Sequence, residues 1–259
     1  MGSARFSLVV IPLLVLALGG CRRPPERASA SPPPATATAT ATATTSAVAR
    51  ATPPPPATVE RFDVPGDREA SIVRALDGRA PLTVFVPGVC SNANAYLQGF
   101  PEAARRQGGV VGIEGDVACG GNAAFRTFSW DASKLNARIE RALAAAGALP
   151  IPDEGITLVG YSQGAALGEQ LAARWPARYR RLVVIGAPTD PAPASFARAR
   201  AVVMMSCARD VPARMRDASR KLARTGVPST YVEMPGCTHG NLGDGERVFD
   251  EAFDFLRAR

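Results

Sequence analysis

The stretch from Ile156 to Leu167, Ile-Thr-Leu-Val-Gly-Tyr-Ser-Gln-Gly-Ala-Ala-Leu, leaves the chain very few local structures. An apolar run ends in Gly160, a serine follows at 162, and Gly164 opens a segment whose apolar residues Leu167, Leu171 and Trp175 recur at helical spacing. That order predicts a strand, a sharp turn and a helix. In a Gly-x-Ser-x-Gly turn the serine takes a strained backbone conformation that only very small flanking residues permit, and its Oγ stands clear at the strand's carboxyl end. The stretch exposes a nucleophile. The plain alternative is a glycine-rich strand-to-helix turn with no chemistry, so the surroundings must choose.

Those surroundings repeat one pattern. Glu60 to Pro65 and Ala70 to Leu76 read as early edge strands, and Leu82 to Val86 is a β-rich run that stops at Pro87-Gly88. A helix is expected from about Ala93 to Gln107, a strand at Val110 to Ile113, a loop through Asp116 to Arg126, and a helix at Ala132 to Ala146 with Leu135, Ile139 and Leu143 on one face. After the serine turn, apolar strands are expected at Leu182 to Ile185, Ala201 to Met205 and Thr230 to Met234, with helices near Ala213 to Thr225 and Glu246 to Arg257. Strands alternating with helices imply βαβ crossovers. The predicted fold class is therefore α/β, with a mainly parallel, doubly wound sheet whose ligands bind beyond the carboxyl ends of its strands.

The chain of 259 residues, 46% hydrophobic, can build one sizeable domain of this kind. The formal charge of +7 is spread as single arginines among alanines, which is a solvated surface and not a nucleic-acid stripe. No nucleic-acid partner is expected, and a monomer is.

The amino terminus reads differently. Arg5 precedes an apolar stretch, Ser7 to Leu18, too short to span a membrane and stay, which closes on Gly19 and Gly20 before Cys21. Residues 1–20 are expected to be an export signal. Leu18-Gly19-Gly20-Cys21 also resembles the bacterial lipoprotein lipobox, which implies cleavage before Cys21 and lipid on that cysteine. The domain would then be lipid-anchored to the cell envelope outside the cytoplasm, at the outer membrane where there is one, because Arg22 and not aspartate follows the cysteine. From 21 to 59 the chain is rich in Pro, Ala, Thr and Ser, with an Ala-Thr tract and a run from Pro53 to Pro56, a composition that cannot bury enough apolar surface to order itself. It is expected to be a tether, with the folded domain at 60–259.

Motif, element order and spacing together resemble the α/β-hydrolase superfamily over nearly all of 82–259. The short segment between the strands at 182 and 201 is where members often carry a lid, so little or no lid domain is expected. The resemblance implies a base after the last strand, and the chain's one histidine, His239, lies there in Pro-Gly-Cys-Thr-His-Gly. It implies an acid in the loop after the Ala201 strand, where Asp210 stands; Asp190, one strand earlier, is the runner-up, and the alternative for Asp210 is a helix N-cap. Oxyanion donors are implied at the backbone N–H groups of Gln163 and Val89, with Cys90 as fallback, since this chain has Pro87-Gly88 where many relatives have His-Gly.

Four cysteines remain after Cys21, and an even number in an exported domain favours disulfides, with free thiols as the alternative. Cys207 and Cys237 lie on the loops expected to carry acid and base. A bond between them would brace the two loops and stabilise the fold by about 3 to 4 kcal/mol on loop-closure grounds. Cys90 and Cys119 would similarly tie the oxyanion loop to the loop after the next strand. With one histidine and no Cys-x-x-Cys pair, neither a metal nor a cofactor is expected.

The reading is a serine hydrolase that cleaves a carboxylic ester or thioester of a small or lipid-like molecule through an acyl-enzyme on Ser162, with His239 and Asp210 completing the triad. Its alternatives are a serine peptidase and a non-catalytic binding lipoprotein on the same scaffold. Pocket walls are expected from residues 90–100, 117–130 and 187–199.

Overall fold

The computed structural model describes residues 54–259, so the expected signal, Cys21 and the tether through residue 53 lie outside the described residues. In chain order the strands are β1 (Glu60–Phe62), β2 (Ala70–Val73), β3 (Thr83–Val86), β4 (Val110–Gly112), β5 (Val117–Ala118), β6 (Arg126–Thr127), β7 (Ile156–Tyr161), β8 (Tyr179–Ile185), β9 (Ala201–Cys207) and β10 (Ser229–Met234). The helices are α1 (Ala93–Leu97), α2 (Pro101–Arg106), α3 (Ala132–Ala145), α4 (Gln163–Arg174), α5 (Pro212–Ala223) and α6 (Gly245–Arg257). Eight strands form one sheet in the order β1-β2-β4-β3-β7-β8-β9-β10, while β5 and β6 make a separate small hairpin. β2 runs antiparallel to both its neighbours, and every pairing from β4 to β10 is parallel.

Both faces of the sheet are covered, which is why its strands read as unbroken apolar runs. Side chains alternate: Val84, Leu158, Val184 and Met204 join the core under α3, α4 and α5, while Phe85, Val159, Val183 and Met205 join the core under α1, α2 and α6. On α3, Leu135, Ile139 and Leu143 are buried as their spacing predicts. Of the stripe on α4, Leu167 and Leu171 are buried, whereas Trp175 is the C-cap and only partly buried against the core.

The single helix expected over 93–107 is instead two. Phe100 takes φ −153° and ψ 44°, outside the helical region, because the residue before a proline is crowded out of it, and Pro101 then starts α2. The break has a spatial use. A Cβ at Gly99 would lie 3.0 Å from Leu242 Cδ1, so the glycine lets the loop after β10 pack directly on the end of α1. The loop expected through 116–126 contains the β5–β6 hairpin. Residues 54–59 run along α2, where Ala57 N–H donates to Glu102 Oε1 at 2.7 Å.

Candidate active site

Parallel strands bring the ends of β3, β7, β8, β9 and β10 to one edge of the sheet, and every triad candidate lies there. Ser162 follows β7 directly, with φ 53° and ψ −112°, a left-handed conformation that a serine keeps only when its surroundings enforce it. They do so by close packing. A Cβ at Gly160 would overlap the Gly164 carbonyl, a Cβ at Gly164 would overlap the Val86 carbonyl, and Ser162 N–H donates to the Ile185 carbonyl at 2.8 Å.

His239 Nε2 lies 2.9 Å from Ser162 Oγ, and its Nδ1 lies 2.7 Å from Asp210 Oδ2. A carboxylate only accepts, so Nδ1 carries the proton and Nε2 keeps a lone pair for the serine hydroxyl. The Asp210 side chain is largely buried, with 12% exposure, whereas the imidazole is 45% exposed. Asp210 does not cap the following helix, since α5 has Val211 at its N-cap and no side-chain cap. Asp190 points elsewhere, pairing with Arg214 at 3.0 Å on a carboxylate that is 75% exposed.

Both bracing disulfides are formed. Cys207–Cys237 joins the end of β9 to the loop that carries His239, with a Cα separation of 5.1 Å, and Cys90–Cys119 joins the loop after β3 to the hairpin, at 5.3 Å. Gly88 presses on the serine, since a Cβ there would lie 3.0 Å from Ser162 Cβ, and its carbonyl accepts from Ser91 Oγ at 2.7 Å. Val89 follows it and is exposed, and Cys90 is held at φ 50°. Backbone bonds of 2.9 and 3.0 Å between Ser91 and Arg126 seat the hairpin on this loop. Its base is fixed by Asp116, which accepts from Ser129 N–H at 2.8 Å, from Ser129 Oγ at 2.7 Å and pairs with Lys134 at 2.7 Å. Burial pushes the Asp116 carboxyl up, but Lys134 and Ser129 outweigh it and leave it at about 2.

Gln163 contributes more than its amide. Its main-chain N–H is among those at the head of α4 with no partner inside the helix, while its buried side chain accepts from Thr127 Oγ1 at 2.8 Å and from Phe128 N–H at 3.0 Å, and donates to the Phe128 carbonyl at 2.8 Å. Gly186, after β8, was not singled out by the sequence. It has φ 52°, and a Cβ there would lie 2.9 Å from Asp210 Oδ2 and 3.3 Å from the His239 ring, so Asp210 and His239 occupy the space a side chain would take. Its one sequence signal is its place directly after the strand.

A cleft of about 480 Å³ opens beside these groups, walled by Val89, Asn92, Tyr96, Phe125, Asn241 and Leu242 among others, and none of its lining residues is charged. Residues 90–100 and 117–130 contribute walls as expected, but 187–199 does not. Glu169 on α4 accepts from Ala192 N–H at 2.9 Å and Ser195 Oγ at 3.0 Å, which draws that segment over a separate hollow beside Trp130. The loop 240–243 takes its place.

Neither a protein-family model nor a curated protein matches the chain significantly. Solved structures do match in fold. Esterase PE8 superposes with a TM-score of 0.55 at 22% identity, over 72% of this chain and 96% of its own. An esterase of Rhizomucor miehei gives 0.56 at 15% identity, over 79% of this chain and 84% of that one. The fluorophosphonate-binding serine hydrolase FphF of Staphylococcus aureus gives 0.54 at 11% identity, over 78% and 98%. With its mainly parallel eight-stranded sheet and helices on both faces, the chain has the α/β-hydrolase fold.

Proposed function

We propose that this protein is a serine hydrolase that cleaves carboxylic esters through an acyl-enzyme. One observation carries the reading: an unbroken path of 2.9 and 2.7 Å from Ser162 Oγ through the imidazole to Asp210. Ser162 Oγ attacks the ester carbonyl as His239 Nε2 takes its proton. The oxyanion receives the N–H groups of Gln163 and Val89, each such donor typically worth roughly 3 kcal/mol of barrier. Collapse breaks the bond to the alcohol, which leaves with the proton from Nε2. Water then gives a proton to Nε2 as it attacks the acyl carbon, and collapse breaks the bond to Ser162 Oγ, which takes the proton back from Nε2 as the acid leaves. Asp210 holds the imidazole in the tautomer that both halves need. The esterases named above motivate the ester reading, while the fold they share with this chain serves ester and amide chemistry alike, so the substrate comparison below makes that choice.

The test is covalent. A fluorophosphonate probe should label the chain on the peptide that contains Ser162, and short p-nitrophenyl esters should turn over faster than aminoacyl nitroanilides. An unlabelled chain sinks the hydrolase reading, and faster amide cleavage moves it to a peptidase.

The uncharged cleft supports a neutral substrate group, because a bare charge there would lose hydration with no counter-charge to replace it. A p-nitrophenyl butyrate should therefore be preferred over the hemiglutarate, an anion of similar shape, by roughly tenfold or more in kcat/KM. Ala95 lines the cleft from an exposed position on α1. Ala95→Arg should erase most of that preference, and an unchanged ratio would mean that the acyl group lies elsewhere.

The leader reading and the two disulfides support an exported domain, since such bonds persist in oxidising compartments. We propose, from the lipobox-like Leu18-Gly19-Gly20-Cys21, that a lipid on Cys21 anchors it, with the catalytic domain outside the cytoplasm.

A further inference from the structure

His239 sits on an exposed loop between β10 and α6, and a bond to Asp210 fixes one ring atom without fixing the peptide that carries the ring. The next residue, Gly240, is held through both of its peptide groups. Gly240 N–H donates to Tyr161 Oη at 2.7 Å, and the Gly240 carbonyl accepts from Tyr96 Oη at 3.0 Å. Tyr161 Oη donates in turn to the Asn241 carbonyl at 3.4 Å. The two phenol rings lie 5.3 Å apart, and Tyr161 meets the imidazole edge to face with centroids 5.4 Å apart.

Tyr161 is buried and is the last residue of β7, directly before Ser162. The strand end that strains the serine outward thus also supplies the group that holds the base loop. Its hydroxyl does both jobs through one atom, accepting from an amide and donating to a carbonyl. Burial raises the Tyr161 phenol to about 12 and moves Tyr96 upward as well, so both keep the proton they donate.

We infer that Tyr161, with Tyr96 as its partner on the opposite side of Gly240, is a positioning residue for His239, holding the loop so that Nε2 stays in line with Ser162 Oγ. The inference rests on the triad reading above. It also ties the base to the substrate cleft, because Tyr96 lines that cleft while holding the Gly240 carbonyl.

The chain's single histidine makes the test direct, since its ring resonances in 15N-histidine-labelled protein report this imidazole alone. Tyr161→Phe is expected to lower kcat for a p-nitrophenyl ester roughly 10- to 100-fold, with KM little changed, because a slightly misplaced base slows chemistry and leaves binding alone. The Nδ1–H resonance should shift or broaden in the same variant. Thermal melting verifies the fold, and should Tyr161→Phe fail to fold, Tyr96→Phe decides in its stead, with a smaller change in the same direction. An unchanged kcat, or a lower kcat with imidazole resonances identical to wild type, overturns the inference. If the wild type turns over no ester while the resonances still move, the hydrolase reading falls and the positioning of the ring stands.

Discussion

Alanine at Ser162 or at His239 is expected to lower kcat for ester hydrolysis by about 10⁶-fold, and asparagine at Asp210 by about 10⁴-fold. The serine and histidine act as one unit, so losing either removes nearly all of what the unit does. The carboxylate has a narrower task. Asparagine at 210 keeps the shape but removes the charge that faces the developing imidazolium, and its amide can offer Nδ1 a donor where an acceptor is needed. Asp190→Asn is the control. Its carboxylate answers Arg214 and not the imidazole, so kcat should stay within about twofold of wild type. Initial rates on purified variants, each shown to be folded by circular dichroism, decide the matter. A dead Asp190→Asn beside an active Asp210→Asn would reverse the assignment.

The contrast between the two aspartates shows what chain order can deliver. The strands were legible because a sheet covered on both faces needs apolar residues at consecutive positions, as in Leu182 to Ile185. The residues that the fold brings together at the sheet edge were legible because their types are rare or their places are fixed: one histidine after the last strand, one serine between two glycines. The split of the helix at Gly99 to Pro101 was hidden because the apolar spacing runs on across it, although Pro101 was the signal to weigh. Tyr161, Tyr96 and Gly186 were illegible for a different reason. Each acts through atoms brought near only by folding, and two of these act on backbone groups of Gly240, 79 and 144 residues away. Backbone groups leave no mark in a sequence. The wall at 187–199 failed similarly, since nothing in the sequence of that segment announces the carboxylate of Glu169 that holds it aside.

Gly164→Ala is expected to destabilise the fold by more than about 4 kcal/mol, enough to lower the melting temperature by roughly 10 °C or to cost soluble expression altogether. The reason is steric and lies in backbone atoms. The new Cβ would run into the Val86 carbonyl oxygen and lie 2.7 Å from that of Pro87, so α4 could stay in place only if β3 and the loop that follows it moved away. Neither can yield cheaply. β3 is paired on both sides, with β4 and β7, and the loop carries Gly88 against the serine and Cys90 in its disulfide. Gly168→Ala, one turn further along the same helix, is the matched comparison. Its Cβ would meet Leu158 Cδ2 at 3.2 Å, the tip of a side chain that can shift, and alanine gains up to about 1 kcal/mol of helix propensity over glycine. The two variants make the same chemical change in one helix, so propensity cancels between them and only the close approach of α4 to β3 remains. Thermal melts separated by only a few degrees would mean that the serine turn is not held by that approach. The strained φ of Ser162, on which its exposure as a nucleophile depends, would then need another cause.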